Sequence, residues 1–145
     1  MYWKQKRYED ARREFQAELA NQPQYPQALI YLGDSEMQTG AEKEAEQHLR
    51  RGLELDANNR LAHLDLGILL AGGNDSAAAE RHLRKAIQLD PSKPDAHYQL
   101  GRLLRSVGRA EDAQAEFAKV KELATQEQEP PPLMQVPGQG NPPQP

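Results

Sequence analysis

A leucine–glycine pair recurs in this sequence at a constant spacing. The glycines are Gly33, Gly67 and Gly101, each directly after a leucine and each 34 residues from the next. Internal repetition at a period of a few tens of residues is typical of solenoids, in which each structural unit contacts mainly its neighbours. The period therefore predicts a solenoid.

Other positions follow the same period. A small residue recurs in one column, a large apolar residue in a second and a turn-forming residue in a third. One period before the first of these units, the alignment predicts an alanine, a bulky apolar residue and a proline, and the chain has all three. The columns are Ala45, Ala79 and Ala113; Leu49, Leu83 and Phe117; Gly40, Asn74 and Gly108; and, one period earlier, Ala11, Phe15 and Pro23.

The repeated segments closely resemble the tetratricopeptide repeat, in period and in the residue types of their columns. The resemblance covers roughly residues 1–125 and implies an all-α fold, a right-handed α-solenoid of antiparallel helix pairs. Where the family commonly has an early aromatic residue, this chain has Leu29, His63 and His97, and Gly52 and Val120 replace a late alanine. The residues that carry the resemblance are Leu32-Gly33, Ala45, Leu49 and the stretch 53–59, matched by Leu66-Gly67, Ala79, Leu83 and the stretch 87–91.

Apolar residues recur at three- and four-residue steps with short breaks, which predicts two helices in each unit. The chain should hold three full repeats (26–59, 60–93 and 94–127) after a partial repeat over 1–25, followed by a Pro/Gln/Gly-rich tail over 128–145 that we expect to be disordered. In the partial repeat, residues 1–5 should end a first helix and 8–21 form a second. The other first helices are expected over 26–39, 60–72 and 94–107, and the second helices over 42–55, 76–89 and 110–125.

The glycine column implies a close helix crossing. Glycine inside a helix costs about 1 kcal/mol relative to alanine, so three glycines at one position indicate a steric demand that outweighs this cost. We expect Gly33 to face Ala45 across the crossing, with Leu49 filling the space beside it.

Composition narrows the class of function. No apolar run approaches the ~20 residues needed to span a bilayer, and no Lys/Arg stripe with interleaved aromatic residues marks a nucleic-acid footprint. The chain has no cysteine, which excludes thiolate catalysis and thiolate metal sites and favours a cytoplasmic protein. Without a phosphate loop, a nucleophile elbow or a zinc motif, the sequence predicts neither an enzyme nor a cofactor.

The four histidines form two pairs at the repeat spacing, His48 with His82 and His63 with His97. Metal ligands must converge on one point, whereas translation by one repeat moves equivalent side chains apart. Repeat duplication explains both pairs, and we expect structural histidines and no metal.

The resemblance implies that the first helices line a concave groove, which members of the family commonly use to bind peptides or helices of partner proteins. Projected onto this chain, the groove is apolar at its centre and cationic in the third repeat. Either these side chains receive a partner segment, or some turn inward and complete the core; we favour the groove. The candidate site residues are Ile30, Asp34, Met37, Leu61, Leu64, Ile68, Tyr98, Arg102 and Arg105.

Chaperone-binding members of the family hold a partner's terminal carboxylate with a clamp of Lys, Asn and Arg side chains. The corresponding positions in this chain supply three carboxylates and no cation, so the resemblance implies no carboxylate clamp. These positions are Ile30, Asp34, Asp65, Asp95 and Gln99.

The sequence accordingly predicts a noncatalytic scaffold that binds a protein or peptide partner in its groove. The alternative is a structural module whose solenoid ends join other repeats or identical chains in a homo-oligomer. Trp3 near the start and Phe117 on the last helix are the residues whose substitution should alter the oligomeric mass in that case.

Overall fold

The computed structural model describes residues 2–128 of the chain, and within them the fold is all-α. Of the tail predicted to be disordered, residues 129–145 lie outside the described residues. The seven helices of the described part are α1 (Tyr2–Asn21), α2 (Pro26–Gln38), α3 (Glu42–Leu55), α4 (Arg60–Gly72), α5 (Ser76–Leu89), α6 (Pro94–Ser106) and α7 (Ala110–Gln128).

The helix bounds predicted for the three full repeats are confirmed. Helices α2 to α6 match them within one residue, and α7 continues three residues further, to Gln128. The expectation for the start of the chain is wrong, because a single helix runs from Tyr2 to Asn21 where two helices were predicted. Gln5, Lys6 and Arg7 are all good helix formers, and no glycine or proline interrupts them.

Local chemistry fixes the turns between the paired helices. Gly40 and Gly108 have φ of 87° and 83°, and Asn74 has φ of 67°. Asparagine is among the few residues other than glycine that tolerate this left-handed conformation, so the turn after α4 forms without glycine at that position. The turns predicted at these three positions are confirmed.

The helix starts are equally local. Pro26 and Pro94 are the first residues of α2 and α6, where a backbone N–H would have no intrahelical partner. The side chain of Asn59 caps α4 by accepting a hydrogen bond from the N–H of Ala62, at 3.1 Å. Asp75 caps α5 in the same way.

The glycine column marks where the two helices of a repeat cross closely. A Cβ atom added to Gly33 would lie 2.6 Å from Cγ of Leu49, and one added to Gly67 would lie 2.6 Å from Cγ of Leu83. Real Cβ atoms essentially never approach so closely. The nearest atom of Ala45, the predicted partner of Gly33, is its carbonyl oxygen, at 3.1 Å, which is farther away than the Leu49 side chain. The large apolar column, more than the alanine column, therefore demands glycine.

The helix pairs stack side by side. Contact is most extensive within each repeat, between α2 and α3, α4 and α5, and α6 and α7, and less extensive between repeats, where α3 meets α4 and α5 meets α6. Successive first helices also touch, α2 with α4 and α4 with α6, whereas the second helices of the described part do not. The stack therefore curves so that α2, α4 and α6 lie on its inner side. We call the surface that these helices present there the concave face.

Candidate partner-binding site

A cleft of about 500 Å³ opens on the concave face near the carboxyl-terminal ends of α2, α4 and α6. Three predicted site residues line it together: Met37 from α2, Ile68 from α4 and Arg102 from α6. Gly72 leaves space there, since a Cβ atom on it would meet nothing within 4 Å. We call this cavity the concave cleft; its other lining residues are Glu42, Leu69, Ala71, Gln99, Leu103 and Ser106.

Other predicted site residues turn inward. Ile30 is 1% exposed and Leu64 is 7% exposed, so both belong to the core. Gly52 explains the position of Ile30, because a Cβ atom on that glycine would lie 2.5 Å from Cγ1 of the isoleucine. Leu61 is partly buried against the same core cluster as Ile30. These three residues therefore complete the core and do not line an open groove, which is the second of the two alternatives that the sequence left open.

The third repeat presents two arginines on aromatic rings. The guanidinium of Arg102 lies 5.9 Å from the ring centroid of Tyr98, and that of Arg105 lies 5.6 Å from the ring centroid of Phe117. The rings of Tyr98 and Phe117 are themselves 6.0 Å apart. Cation–π attraction therefore holds both guanidinium groups at this end of the concave face.

Three aspartates, one on each of α2, α4 and α6, lie near one another. Asp65 is 3% exposed. Burial, followed by the hydrogen bond to Asp34 and the charges of Asp34 and Asp95, together raise the pKa of its carboxyl group to about 9. At neutral pH Asp65 is therefore protonated and donates a hydrogen bond to the Asp34 carboxylate. The carboxylate of Asp95 accepts a hydrogen bond from the guanidinium of Arg60.

Glu36, which was not predicted from the sequence as a site residue, has a carboxyl group that is 1% exposed. Oε1 of Glu36 lies 2.5 Å from Nδ1 of His48. Burial raises the pKa of Glu36, although the hydrogen bond and the charge of His48 partly oppose this. One signal was present in the repeat alignment, where Glu36 shares its column with the buried residues Leu70 and Leu104.

The remaining histidines also join the two helices of one repeat. Nδ1 of His63 lies 3.0 Å from Nδ1 of His82, and Nδ1 of His97 lies 2.6 Å from Oε2 of Glu116. Nε2 of His63 donates to the carbonyl oxygen of Ala57, at 2.8 Å, so its Nδ1 accepts a hydrogen bond from Nδ1–H of His82. Among the described residues, no three His, Cys, Asp or Glu side chains are placed to hold a metal ion.

The described helices differ in length and in apolar character. None of them, over residues 2–128, combines the length and the apolar character needed to cross a bilayer.

The repeated helix pairs also occur in known protein families and in solved structures. Family models described as tetratricopeptide repeat match residues 2–60 and 69–130, which together include most of the chain. A comparison with curated proteins found no match.

Solved structures share the fold. A crystal structure of MamA is 26% identical, with a TM-score of 0.74 over 81% of this chain and 69% of the other. A MamA structure from Desulfovibrio magneticus RS-1 is 23% identical, with a TM-score of 0.75 over 84% and 69% of the two chains. YrrB, a tetratricopeptide protein with an unusual peptide-binding site, is 22% identical, with a TM-score of 0.72 over 86% and 64%.

Proposed function

This chain belongs to the tetratricopeptide repeat family, and on that premise we propose that it is a noncatalytic scaffold that binds a segment of a partner protein in the concave cleft. The observation that carries the proposal is the convergence of Met37, Ile68 and Arg102, from three successive repeats, on one open cavity. A segment lying in this cavity would contact all three repeats at once.

The chemistry of the concave cleft suits binding. Met37, Ile68 and Leu69 contribute large apolar side chains to its lining, and four polar side chains complete it. A mostly apolar cavity with a few polar groups that fix orientation is the usual form of a binding site. The polar lining groups are Glu42, Gln99, Arg102 and Ser106, and they include no nucleophile paired with a base.

A peptide is the ligand that we propose. The cavity is open and is lined by residues of α2, α4 and α6, so a short segment of chain that crosses these three helices matches its lining. YrrB, which shares the fold, has a peptide-binding site. For this chain the proposal depends on the shape and lining of its own cleft.

Capture of partners from the source cell tests the proposal. The Ile68→Arg variant places a charge in the lining of the cleft and should lose the captured partner. Leu55→Arg is the matched control, because Leu55 ends α3 and is already 38% exposed. Thermal unfolding followed by circular dichroism checks that both variants fold. Retention of the same partner by a folded Ile68→Arg variant would contradict the proposal.

One observation favours the alternative structural role, in which the ends of the solenoid join other chains. Helix α1 contacts α2 and no other described helix, and the Trp3 side chain on it is 59% exposed. The guanidinium of Arg7 lies 5.8 Å from the Trp3 ring. If this face joins identical chains, Trp3→Ala should lower the mass measured by light scattering, while Ile68→Arg should not.

A further inference from the structure

One row of the concave face changes its charge from repeat to repeat. Asp34, Ile68 and Arg102 occupy the same position in successive repeats, 34 residues apart. Ile68 and Arg102 line the concave cleft, and Asp34 lies one repeat earlier, on α2, where it is half-buried. Across three neighbouring helices the row is therefore negative, apolar and positive.

The positive end of the row is well placed to receive a carboxylate. Arg102 is exposed and stacks on Tyr98, and Arg105 stacks on Phe117 close by. Neither arginine forms an ion pair with a side chain in the described part of the chain. A guanidinium held on an aromatic face still directs its planar N–H donors outward, and these donors match the geometry of a carboxylate.

The negative end of the row lacks a cation. The Asp34 carboxylate has no Lys or Arg partner among residues 3–127, whereas Asp95 is already paired with Arg60. The protonated carboxyl group of Asp65 donates a hydrogen bond to Asp34 but carries no positive charge, so the negative charge of Asp34 is not neutralised. Glu42 lines the cleft together with Met37 and adds a second carboxylate to the first-repeat side.

The geometry of the stack sets the spacing of a matching ligand. Neighbouring packed helices lie about 8–10 Å apart, so the two charged ends of the row are separated by roughly 20 Å. An extended peptide advances about 3.3 Å per residue. Its two charged residues should therefore be about six positions apart, with an apolar residue midway.

We propose that the partner segment has two ends of opposite charge. A cationic side chain at one end binds at Asp34 and an acidic side chain at the other end binds at Arg102. Between them, an apolar side chain contacts Ile68. This inference rests on the function proposed above and specifies its ligand. Charge complementarity at two separate points distinguishes such a segment from a uniformly acidic or uniformly basic one.

Three synthetic peptides with blocked ends test the inference by fluorescence anisotropy at low salt. All carry a central leucine; one has lysine and glutamate at its two ends, one has two lysines and one has two glutamates. The full-length protein should bind the mixed-charge peptide roughly fivefold more tightly than either of the others, since each exposed charge pair contributes modestly. Equal binding of the three peptides, or no binding of any, would overturn the inference.

A charge reversal provides the decisive variant. Arg102→Glu makes both ends of the row negative, so it should change the preferred peptide to the one with two lysines. A gain of affinity cannot result from misfolding. Arg13→Glu, at an exposed position on α1, makes the same change in net charge and should keep the original preference. If Arg102→Glu keeps it as well, the row does not select the ligand.

The two proposals fail separately. Loss of discrimination among the peptides refutes the charge-ordered ligand but leaves the scaffold function standing. That function is refuted only if capture of the cellular partner is also unaffected by Ile68→Arg.

Discussion

A Cβ atom on Gly52 would lie 2.5 Å from Cγ1 of Ile30, so the glycine on α3 and the isoleucine on α2 fit only as a pair. In the two following repeats, the residue at the glycine position grows to alanine and then to valine. The first-helix residue is 1% exposed in the first repeat, 7% in the second and 46% in the third. The size of the second-helix residue thus changes in step with the exposure of its counterpart. The later pairs are Leu64 with Ala86 and Tyr98 with Val120.

We expect Gly52→Ala to destabilise the protein by about 1–3 kcal/mol, because the added methyl group must displace Ile30 from the core. The higher helix propensity of alanine, ~1 kcal/mol, is too small to offset this. Urea unfolding measures the difference. Gly72→Ala is the control, since its methyl group meets nothing within 4 Å, and it should not lower stability. Equal effects at the two positions would contradict the assignment of Ile30 to the core.

Gly67→Ala should cost more stability than Gly101→Ala. The methyl group on Gly67 would meet Leu83, which is 0% exposed and cannot move away. The one on Gly101 would lie 2.8 Å from the ring of Phe117, which is only partly buried and can rotate. We expect a loss of about 2–3 kcal/mol for the first and under about 1 kcal/mol for the second. The opposite ranking in thermal unfolding would show that Phe117 is the more rigid neighbour.

These pairs also explain how far the sequence predicts the structure. Helix bounds depend on local signals, such as Pro26, Asn74 and Gly108, and the sequence states these directly. The inward rotation of Ile30 depends on Gly52, a residue on another helix, and no local pattern reports it. The helix break that was wrongly expected falls in the partial repeat over 1–25, where no turn residue was present to support it.

The candidate site was predictable in part for the same reason. Met37, Ile68 and Arg102 follow from the repeat register and do meet at one cavity. Its depth depends on side-chain packing between helices, so the contributions of Leu103 and Ser106 could not be read from periodicity. Whether these residues bind a partner stays a prediction.

Asp65→Asn should stabilise the protein at neutral and alkaline pH. An unfolded aspartate has a pKa near 3.8, whereas that of folded Asp65 is about 9. Between these values the folded state holds a proton that the unfolded chain has released, so stability falls as the pH rises. The amide of asparagine can donate to Asp34 without a proton.

We expect the gain for this variant to reach about 1–3 kcal/mol near pH 8 and to shrink toward pH 4. Urea unfolding at several pH values measures it. Asp10→Asn, on an exposed part of α1, should leave the pH dependence unchanged. A gain that is constant across this range would show that Asp65 is ionised in the folded protein.

The His63–His82 contact should make stability sensitive to mild acid. Burial lowers the pKa of His82 below 6.5, and the charges of His63, Arg50 and Arg81 lower it further. As the pH falls, the unfolded chain therefore takes up a proton before the folded state does. The contribution of His82 is present at neutral pH and is lost as the pH falls below about 6.5.

His82→Asn keeps an N–H donor near the Nδ1 position and removes the titration. The free energy of unfolding of the wild type, minus that of this variant, should fall between about pH 7 and pH 5. Taking the difference separates this effect from the opposite trend of Asp65. A difference that does not change with pH would place the proton uptake elsewhere.

The uneven packing along the stack has a mechanical meaning. Neighbouring helix pairs contact each other less extensively than the two helices of one pair do, so we expect bending and twisting to concentrate at the α3–α4 and α5–α6 junctions. Met37, Ile68 and Arg102 lie on three different pairs. A segment bound across them would bridge both junctions and act as a brace, so that occupancy would change the elasticity of the whole molecule.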